Sequence, residues 1–276
     1  MSWIEVRVRC GDSPQRDAIV AALIAAGAAG VQEVDDGLRT HLPEGAELGE
    51  VDNAVRAAGS GASISYSDAG EIDWASRWPA RVGVRRVGRI AVAPPWLAHE
   101  IADADIPIVI EPATAFGTGE HETTRGILAL MQSVIRTGDV VSDLGAGSAV
   151  LSIAAAKLGA SRVAAVELDE QAIGNAQENI ERNGVSDHVT IIHGDAALLL
   201  PLLAPVRVIL ANIISGVIVE LAPAMRAALA PDGRLIVSGI LVSERDDVLA
   251  ALEPRGFELR EEIADGEWWS AELAPC

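Results

Sequence analysis

The 276-residue sequence predicts a two-part α/β protein, a small α+β domain followed by a larger domain on a mainly parallel sheet. Three observations predict this. Before Ser67, apolar and polar residues alternate in short runs, in the order β-α-β-β-α-β. After Gly138, short apolar runs alternate with helical stretches, the pattern of parallel strands buried on both faces. Between them, from Asp68 to Trp96, the chain turns polar, with tryptophans and prolines as punctuation.

Ser2 to Arg9 (SWIEVRVR) alternates apolar with polar and reads as a half-buried strand. Asp12 or Ser13 can cap a helix over Pro14 to Ala26, which Gly27 and Gly30 break. Gly30 to Val34 and Leu38 to Leu42 flank Asp36-Gly37, a hairpin signal. A helix over Leu48 to Ala58 and a strand over Ala62 to Tyr66 complete the ferredoxin-like plan. Residues 1–67 hold no glycine-rich phosphate loop and no catalytic cluster, so they read as a recognition domain or a structural appendage. Residues 68–80, with Asp73-Trp74 and Trp78-Pro79, read as a linker. Arg81, Arg85, Arg86 and Arg89 then form a basic patch, on a solvated edge of the second domain (residues 81–276) or facing a substrate. Ile106 to Ile110 is a buried strand. It leads into Glu111 to Thr124 (EPATAFGTGEHETT), a glycine-containing loop that opens a helix with Glu120 and Glu122 at its positive end.

The most informative stretch runs from Gly138 to Glu170. Val140, Val141 and Leu144 make a buried strand, and Gly145-Ala146-Gly147 lets the backbone turn sharply beside a ligand. Val150 to Leu158 suits a helix stopped by Gly159. Arg162 to Leu168 is the next strand, with Glu167 at its carboxyl end, placed to accept hydrogen bonds from ribose hydroxyls. A dinucleotide fingerprint needs a small third residue where Val150 stands, and no phosphate-loop lysine is present. What remains is D-L-G-x-G-S with an acid on the second strand. This resembles the first motif of the S-adenosylmethionine-dependent methyltransferases. Their third glycine is Ala149 here, a mild departure because a methyl group fits most helix starts.

Glu170 to Asn183 is a helix and Val189 to Ile192 a strand ending at Gly194-Asp195. Asp195 can bond an adenine amino group or cap a helix. Val206 to Leu210 is a strand with Asn212 just past its carboxyl end, the edge where open α/β sheets bind ligands. A helix over Val217 to Leu229, a turn at Pro231-Asp232-Gly233, a strand over Arg234 to Ser238 and a helix over Glu244 to Glu253 follow. Phe257 to Ile263 and Glu267 to Leu273 read as an antiparallel hairpin. Five strands alternating with helices and then a hairpin match the seven-stranded, Rossmann-like methyltransferase sheet.

Composition bounds the partners. Aromatics are only 3% while half the residues are apolar, so alanine and aliphatic side chains must fill the core. Against 40 acidic residues stand 21 basic ones, a net charge of −19, which argues against general binding to nucleic acid and suits basic partners or a merely solvated acidic surface. Cys10 and Cys276 form no disulfide framework, and no signal peptide or membrane span is legible, so a reducing, cytoplasmic setting is expected. The five histidines do not cluster, and no metal is expected.

Read together, the chain resembles the methyltransferases that modify large-subunit ribosomal protein L-eleven, the PrmA family. The resemblance covers nearly all of it: the N-terminal domain, the linker tryptophans, Pro94-Pro95-Trp96, A-F-G-T-G-x-H-x-T-T at Ala115 to Thr124 and D-L-G-x-G-S at Asp143 to Ser148. A-N-I at Ala211 to Ile213, S-G-I-L at Ser238 to Leu241 and Gly266-Glu267-Trp268 also match. It implies S-adenosyl-L-methionine as cofactor, contacted by Thr124, Gly145, Glu167 and Asn212, with Phe116 nearby. Asp143, Gly147 and Asp195 complete the cofactor-binding set. The family more often has Asp at Glu167, and two further departures are Ala113-Thr114 before the loop and Pro79-Ala80-Arg81 in the linker. The implied reaction is N-methylation of lysine or N-terminal amines on a small basic protein, with Asn212 orienting the amine; a monomer is compatible with this plan. No catalytic base stands out, and His121 is either a weak candidate or a structural part of its loop. The alternatives are a lysine methyltransferase for another protein, a nucleobase amino methyltransferase, and a non-catalytic docking module. Asn212-Ile213-Ile214-Ser215 lacks the Pro-Pro-aromatic signature of the nucleobase enzymes.

Overall fold

The computed structural model describes residues 2–10, 16, 19–20, 22–23, 27–28, 31–34, 37–43, 46, 48–59, 61–71, 83–112 and 119–276. The chain divides into two compact units, Met1–Trp74 and Ala75–Cys276.

In the first unit, β1 (Ser2–Arg9), β2 (Val31–Val34), β3 (Gly37–Pro43) and β4 (Ser63–Glu71) form an antiparallel sheet in the order β2-β3-β1-β4. That is the strand order of the ferredoxin-like plan. Alternation decides its faces. Val6 and Val8 of β1 and Leu38 and Leu42 of β3 point one way and are buried. They pack with Val51 and Val55 of α1 (Leu48–Ala58) and with Ile19 and Leu23, which are helical where described. β4 continues to Glu71, beyond the Tyr66 expected as its end.

The second unit is built on a seven-stranded sheet of β8 (Val140–Leu144), β9 (Arg162–Glu167), β10 (Val189–His193), β11 (Val206–Asn212), β12 (Leu229–Leu241), β13 (Phe257–Asp265) and β14 (Trp268–Pro275). Its order is β10-β9-β8-β11-β12-β14-β13, parallel except for β14, which runs antiparallel to both neighbours. Both faces are covered. On one lie α2 (Glu122–Val134), α3 (Val150–Lys157) and α4 (Glu170–Arg182), packed on Val141, Val163, Val208 and Ile236. On the other lie α5 (Ala196–Leu203), α6 (Ser215–Ala228) and α7 (Arg245–Leu252), packed on Leu144, Val166, Ile209 and Trp269. Two-sided burial is why these strands read as continuous apolar runs. Among the described residues no helix is long and apolar enough to cross a membrane.

Four expectations need correction. The strands expected at the edge of the second domain, β5 (Arg85–Val87) and β6 (Ile90–Ala93), pair with β7 (Ile106–Val109) into a three-stranded sheet of their own. Its apolar face joins the core beneath α2 and α3, which local pattern cannot reveal. Pro231-Asp232-Gly233 does not end a connection. It is a bulge inside β12, where the register jumps from Val206↔Leu229 to Val208↔Arg234. α5 went unread because AALLLPLL is apolar almost throughout and carries a proline, so it shows no helical period. Asn212 is the last residue of β11 rather than the first beyond it.

Candidate functional site

Strand order reverses at β8, whose neighbours β9 and β11 lead away to opposite sides. Open α/β sheets bind ligands at such a switch point, beyond the carboxyl ends of the strands. Ala211 pairs with Leu144, so Asn212 stands level with Gly145 across that crevice.

The turn from β8 into α3 has three residues with left-handed backbone: Gly145 (φ 73°), Gly147 (φ 52°) and Ala149 (φ 64°). A Cβ on Gly145 would lie 2.6 Å from Ile213 Cγ2, so no side chain fits there. Ala149 corrects the view that a methyl is indifferent at this helix start. It is the N-cap of α3 in a conformation that glycine adopts freely and alanine does not.

Glu167 closes the turn. Its Oε2 accepts the Gly147 N–H (2.8 Å) and its Oε1 accepts the Asp169 N–H (2.9 Å). A carboxylate offers about four lone-pair positions, so both oxygens keep capacity for ligand hydroxyls. Asp143 lies behind the turn, fully buried. Its Oδ2 accepts from Ser152 Oγ (2.6 Å), and its Oδ1 is buried with no partner. Burial pushes its carboxyl up to about 6, against the Ser152 hydrogen bond, and the Glu167 charge adds to the rise. An orphaned buried oxygen beside a glycine turn fits a site that is completed by a ligand or its waters.

On the other side of the crevice, Asn212 Nδ2 donates to Thr124 Oγ1 (3.4 Å). Thr124 is fully buried in the first turn of α2. Asp195 caps α5, accepting the Ala197 N–H at 2.8 Å, and its side chain is exposed. Phe116 lies outside the described residues, as do Arg81 and the linker residues Asp73, Trp74 and Trp78. His121 caps α2 through Nδ1, which accepts the Thr123 N–H (3.3 Å), and its ring meets Trp268 edge-on with centroids 5.0 Å apart. That ring nitrogen is committed to the helix start. Of the basic patch, Arg85 pairs with Glu120 (2.9 Å) and Arg86 with Asp103 (3.3 Å). Among the described residues no three His, Cys, Asp or Glu side chains are placed to hold a metal.

Sequence reasoning missed a ladder of asparagines on α4. Asn183 Nδ2 donates to Val109 O (2.7 Å) and its Oδ1 accepts the Val109 N–H (2.9 Å). Asn179, buried, accepts the Glu111 N–H (2.8 Å) and donates to Ser148 O (3.2 Å). Asn175 donates to Glu111 O (3.1 Å). The ladder straps the glycine turn to the segment that leads toward Phe116. Its signal is in the sequence: three asparagines at i, i+4 and i+8 share one helix face with Ala172 and Ala176.

Comparison with known proteins identifies the family. The profile of the family described as ribosomal protein L11 methyltransferase (PrmA) matches residues 46–274. The ribosomal protein L11 methyltransferase of Heliobacterium modesticaldum is 42% identical over 205 residues, 74% of this chain and 64% of that protein. That of Chloroflexus aurantiacus is 37% identical over 264 residues, 84% of this chain and 80% of that protein. The crystal structure of a ribosomal protein L11 methylase from Lactobacillus delbrueckii subsp. bulgaricus superposes with a TM-score of 0.63 at 28% identity, covering 70% of this chain and 98% of that one. The chain thus spans just under two thirds of the Heliobacterium relative it matches.

Proposed function

We propose a function from one premise: the chain belongs to the ribosomal protein L11 methyltransferase (PrmA) family. It is an S-adenosylmethionine-dependent protein methyltransferase whose substrate is ribosomal protein L11, modified on lysine or N-terminal amino groups. The observation that carries this reading is Glu167 bonded to the Gly147 N–H at the switch point, an acid and a left-handed turn set where a nucleoside's ribose and its substituent would lie.

S-adenosylmethionine supplies a methyl group on a sulfonium, which an amine nitrogen displaces in line. The chain's residues hold the parts. Glu167 accepts the ribose hydroxyls, the bare backbone of Gly145 and Gly147 allows close approach, and Asp143 Oδ1 waits for a donor. Asn212 spends its Nδ2 on Thr124, which leaves Oδ1 to accept an N–H from the substrate amine and aim its lone pair. The amine must arrive neutral. A lysine, with an ordinary pKa of about 10.4, gives up its proton less readily than an α-amine at about 7.7–8.0. A dry crevice lowers both. As the nitrogen–methyl bond formed and the sulfur–methyl bond broke, the positive charge would pass from the sulfonium to the amine, a neutral thioether would leave as S-adenosylhomocysteine, and no base would be needed in the transfer step itself. The N-terminal unit, Met1–Trp74, serves to grip the protein substrate.

The test combines the full chain, labelled S-adenosylmethionine and recombinant ribosomal protein L11, followed by intact mass. Mass steps of one methyl on that protein are expected. Asn212→Ala is expected to lower kcat about tenfold or more by misaligning the amine. Cofactor binding without label transfer would leave the cofactor site standing and remove the substrate.

A further inference from the structure

The small sheet of β5, β6 and β7 has no part in the switch-point crevice, yet its first hairpin is tied to both ends of α2. At the far end, Gln132 of α2 accepts the Arg89 N–H through Oε1 (2.9 Å) and donates through Nε2 to Val87 O (2.9 Å). Gly88 makes the turn between them (φ 56°), so close to Gln132 that a Cβ would lie 2.5 Å from its Oε1. At the near end the contact is Glu120. Its Oε1 accepts the Gly83 N–H (2.9 Å) and pairs with Arg85 Nη2 (2.9 Å). Its carbonyl accepts from the Arg125 guanidinium, which also binds Asp265 at 2.7 and 3.1 Å and Glu122 at 3.2 Å. The residue before it, Gly119 (φ 83°), sits so tightly on β6 that a Cβ would lie 2.9 Å from Val92 Cγ1.

These contacts meet at a particular place. Gly83 is the first described residue after the segment that joins the two units, and Glu120 is four residues before Thr124. An isolated ion pair between half-exposed side chains contributes little. Here the same carboxylate also holds a backbone N–H, the Glu120 carbonyl is held by Arg125, and the preceding residue, Gly119, is seated against Val92. Glu120 is therefore fixed from three directions at the entrance to α2.

We propose that Glu120 is a positioning residue for the cofactor site. It fixes the first turn of α2, and with it Thr124, to the start of the described part of the second unit at Gly83. The proposal rests on the reading of Thr124 as a cofactor contact.

The test uses the full chain. Binding of S-adenosylhomocysteine, the demethylated cofactor, is measured by calorimetry for wild type, Glu120→Ala, Arg85→Ala and the double variant. KM for S-adenosylmethionine and kcat are measured with ribosomal protein L11. Each single variant is expected to weaken cofactor binding about five- to tenfold, and the double variant no more than Glu120→Ala alone. KM for the cofactor rises by the same factor while kcat at saturation is kept. Glu120→Gln, which keeps an acceptor for the Gly83 N–H, recovers part of the loss. A general folding defect would instead lower the active fraction, and so kcat, with KM unchanged. That result, or wild-type affinity in Glu120→Ala, overturns the proposal. If the wild-type chain itself binds neither form of the cofactor, the cofactor reading fails and this inference with it.

Discussion

The two large sheets solve one problem, the covering of an apolar face, in opposite ways. The four-stranded sheet of the first unit packs Val6, Val8, Leu38 and Leu42 under helices. Its other face carries Glu5, Arg7, Arg39 and His41, with Glu5 bonded to Arg7 at 2.7 Å. Its polar chemistry is spread over a surface. The seven-stranded sheet has apolar residues on both faces, and its polar chemistry is forced to the ends of the strands. Asp143, Glu167 and Asn212 all stand at or near the carboxyl end of β8, β9 or β11. A one-sided sheet offers a face to a partner, whereas a two-sided sheet offers only an edge to a ligand. The contrast is the physical ground for proposing the grip in the first unit and the cofactor site in the second.

The largest effect would come from breaking the first unit alone. Leu42 is fully buried at the centre of its core. Leu42→Ala should remove about 3 kcal/mol from that unit through lost burial and the cavity left behind. Calorimetry should show one transition moved to lower temperature, with cofactor affinity unchanged and methylation of the protein substrate impaired. If both transitions moved together, the two units would share one cooperative core and the contrast would fail.

A smaller effect, opposite in sign, is expected at the edge of the second sheet. Asp143 is buried with one oxygen orphaned, and its carboxyl is raised to about 6. A carboxyl raised above its unfolded value holds its proton more tightly in the folded state. Its charge therefore erodes stability as pH rises from about 4 to about 6, and the loss persists above that. Asp143→Asn keeps an acceptor for Ser152 and removes the charge. It should stabilise the protein by roughly 2 kcal/mol at pH 7 and by little at pH 4, while weakening cofactor binding. Urea unfolding at the two pH values reads the difference. A gain independent of pH would mean that the charge is not what burdens the fold.

Legibility followed the same contrast. In the first unit alternation placed β1 and the first part of β4, because one-sided burial writes itself into a period of two, and the Asp36-Gly37 hairpin signal placed β2 and β3. The second unit was legible at its punctuation, at Gly145, Gly147, Gly159 and Glu167, where backbone geometry restricts residue type. It was obscure where packing alone decides. α5 is apolar on the face seated on Leu144 and Val166 and also on its outer face, where Leu198 and Leu202 are exposed, and the separate sheet of β5 to β7 depends on non-local pairing. Asn179 looked like an ordinary helix residue because its partners, Ser148 and Glu111, are remote in sequence.

The smallest effect sharpens the contrast most, because it concerns backbone rather than side chains. Ala149 holds left-handed backbone (φ 64°) at the start of α3, the position of the family's third glycine. Holding alanine there costs roughly 1–2 kcal/mol. Glycine would relieve that, yet it gives up a buried methyl worth about 0.8 kcal/mol and a stiffer unfolded chain worth about 0.4–1 kcal/mol. The terms nearly cancel, so Ala149→Gly should shift unfolding by less than about 1 kcal/mol either way. Cofactor affinity should hold as well, because Glu167 grips the turn at Gly147, not at residue 149. Chemical denaturation and cofactor titration on the one variant check both. A large gain in affinity would show that the turn is strained away from its binding geometry by one methyl group, and that the edge of this sheet is set by sterics before hydrogen bonding.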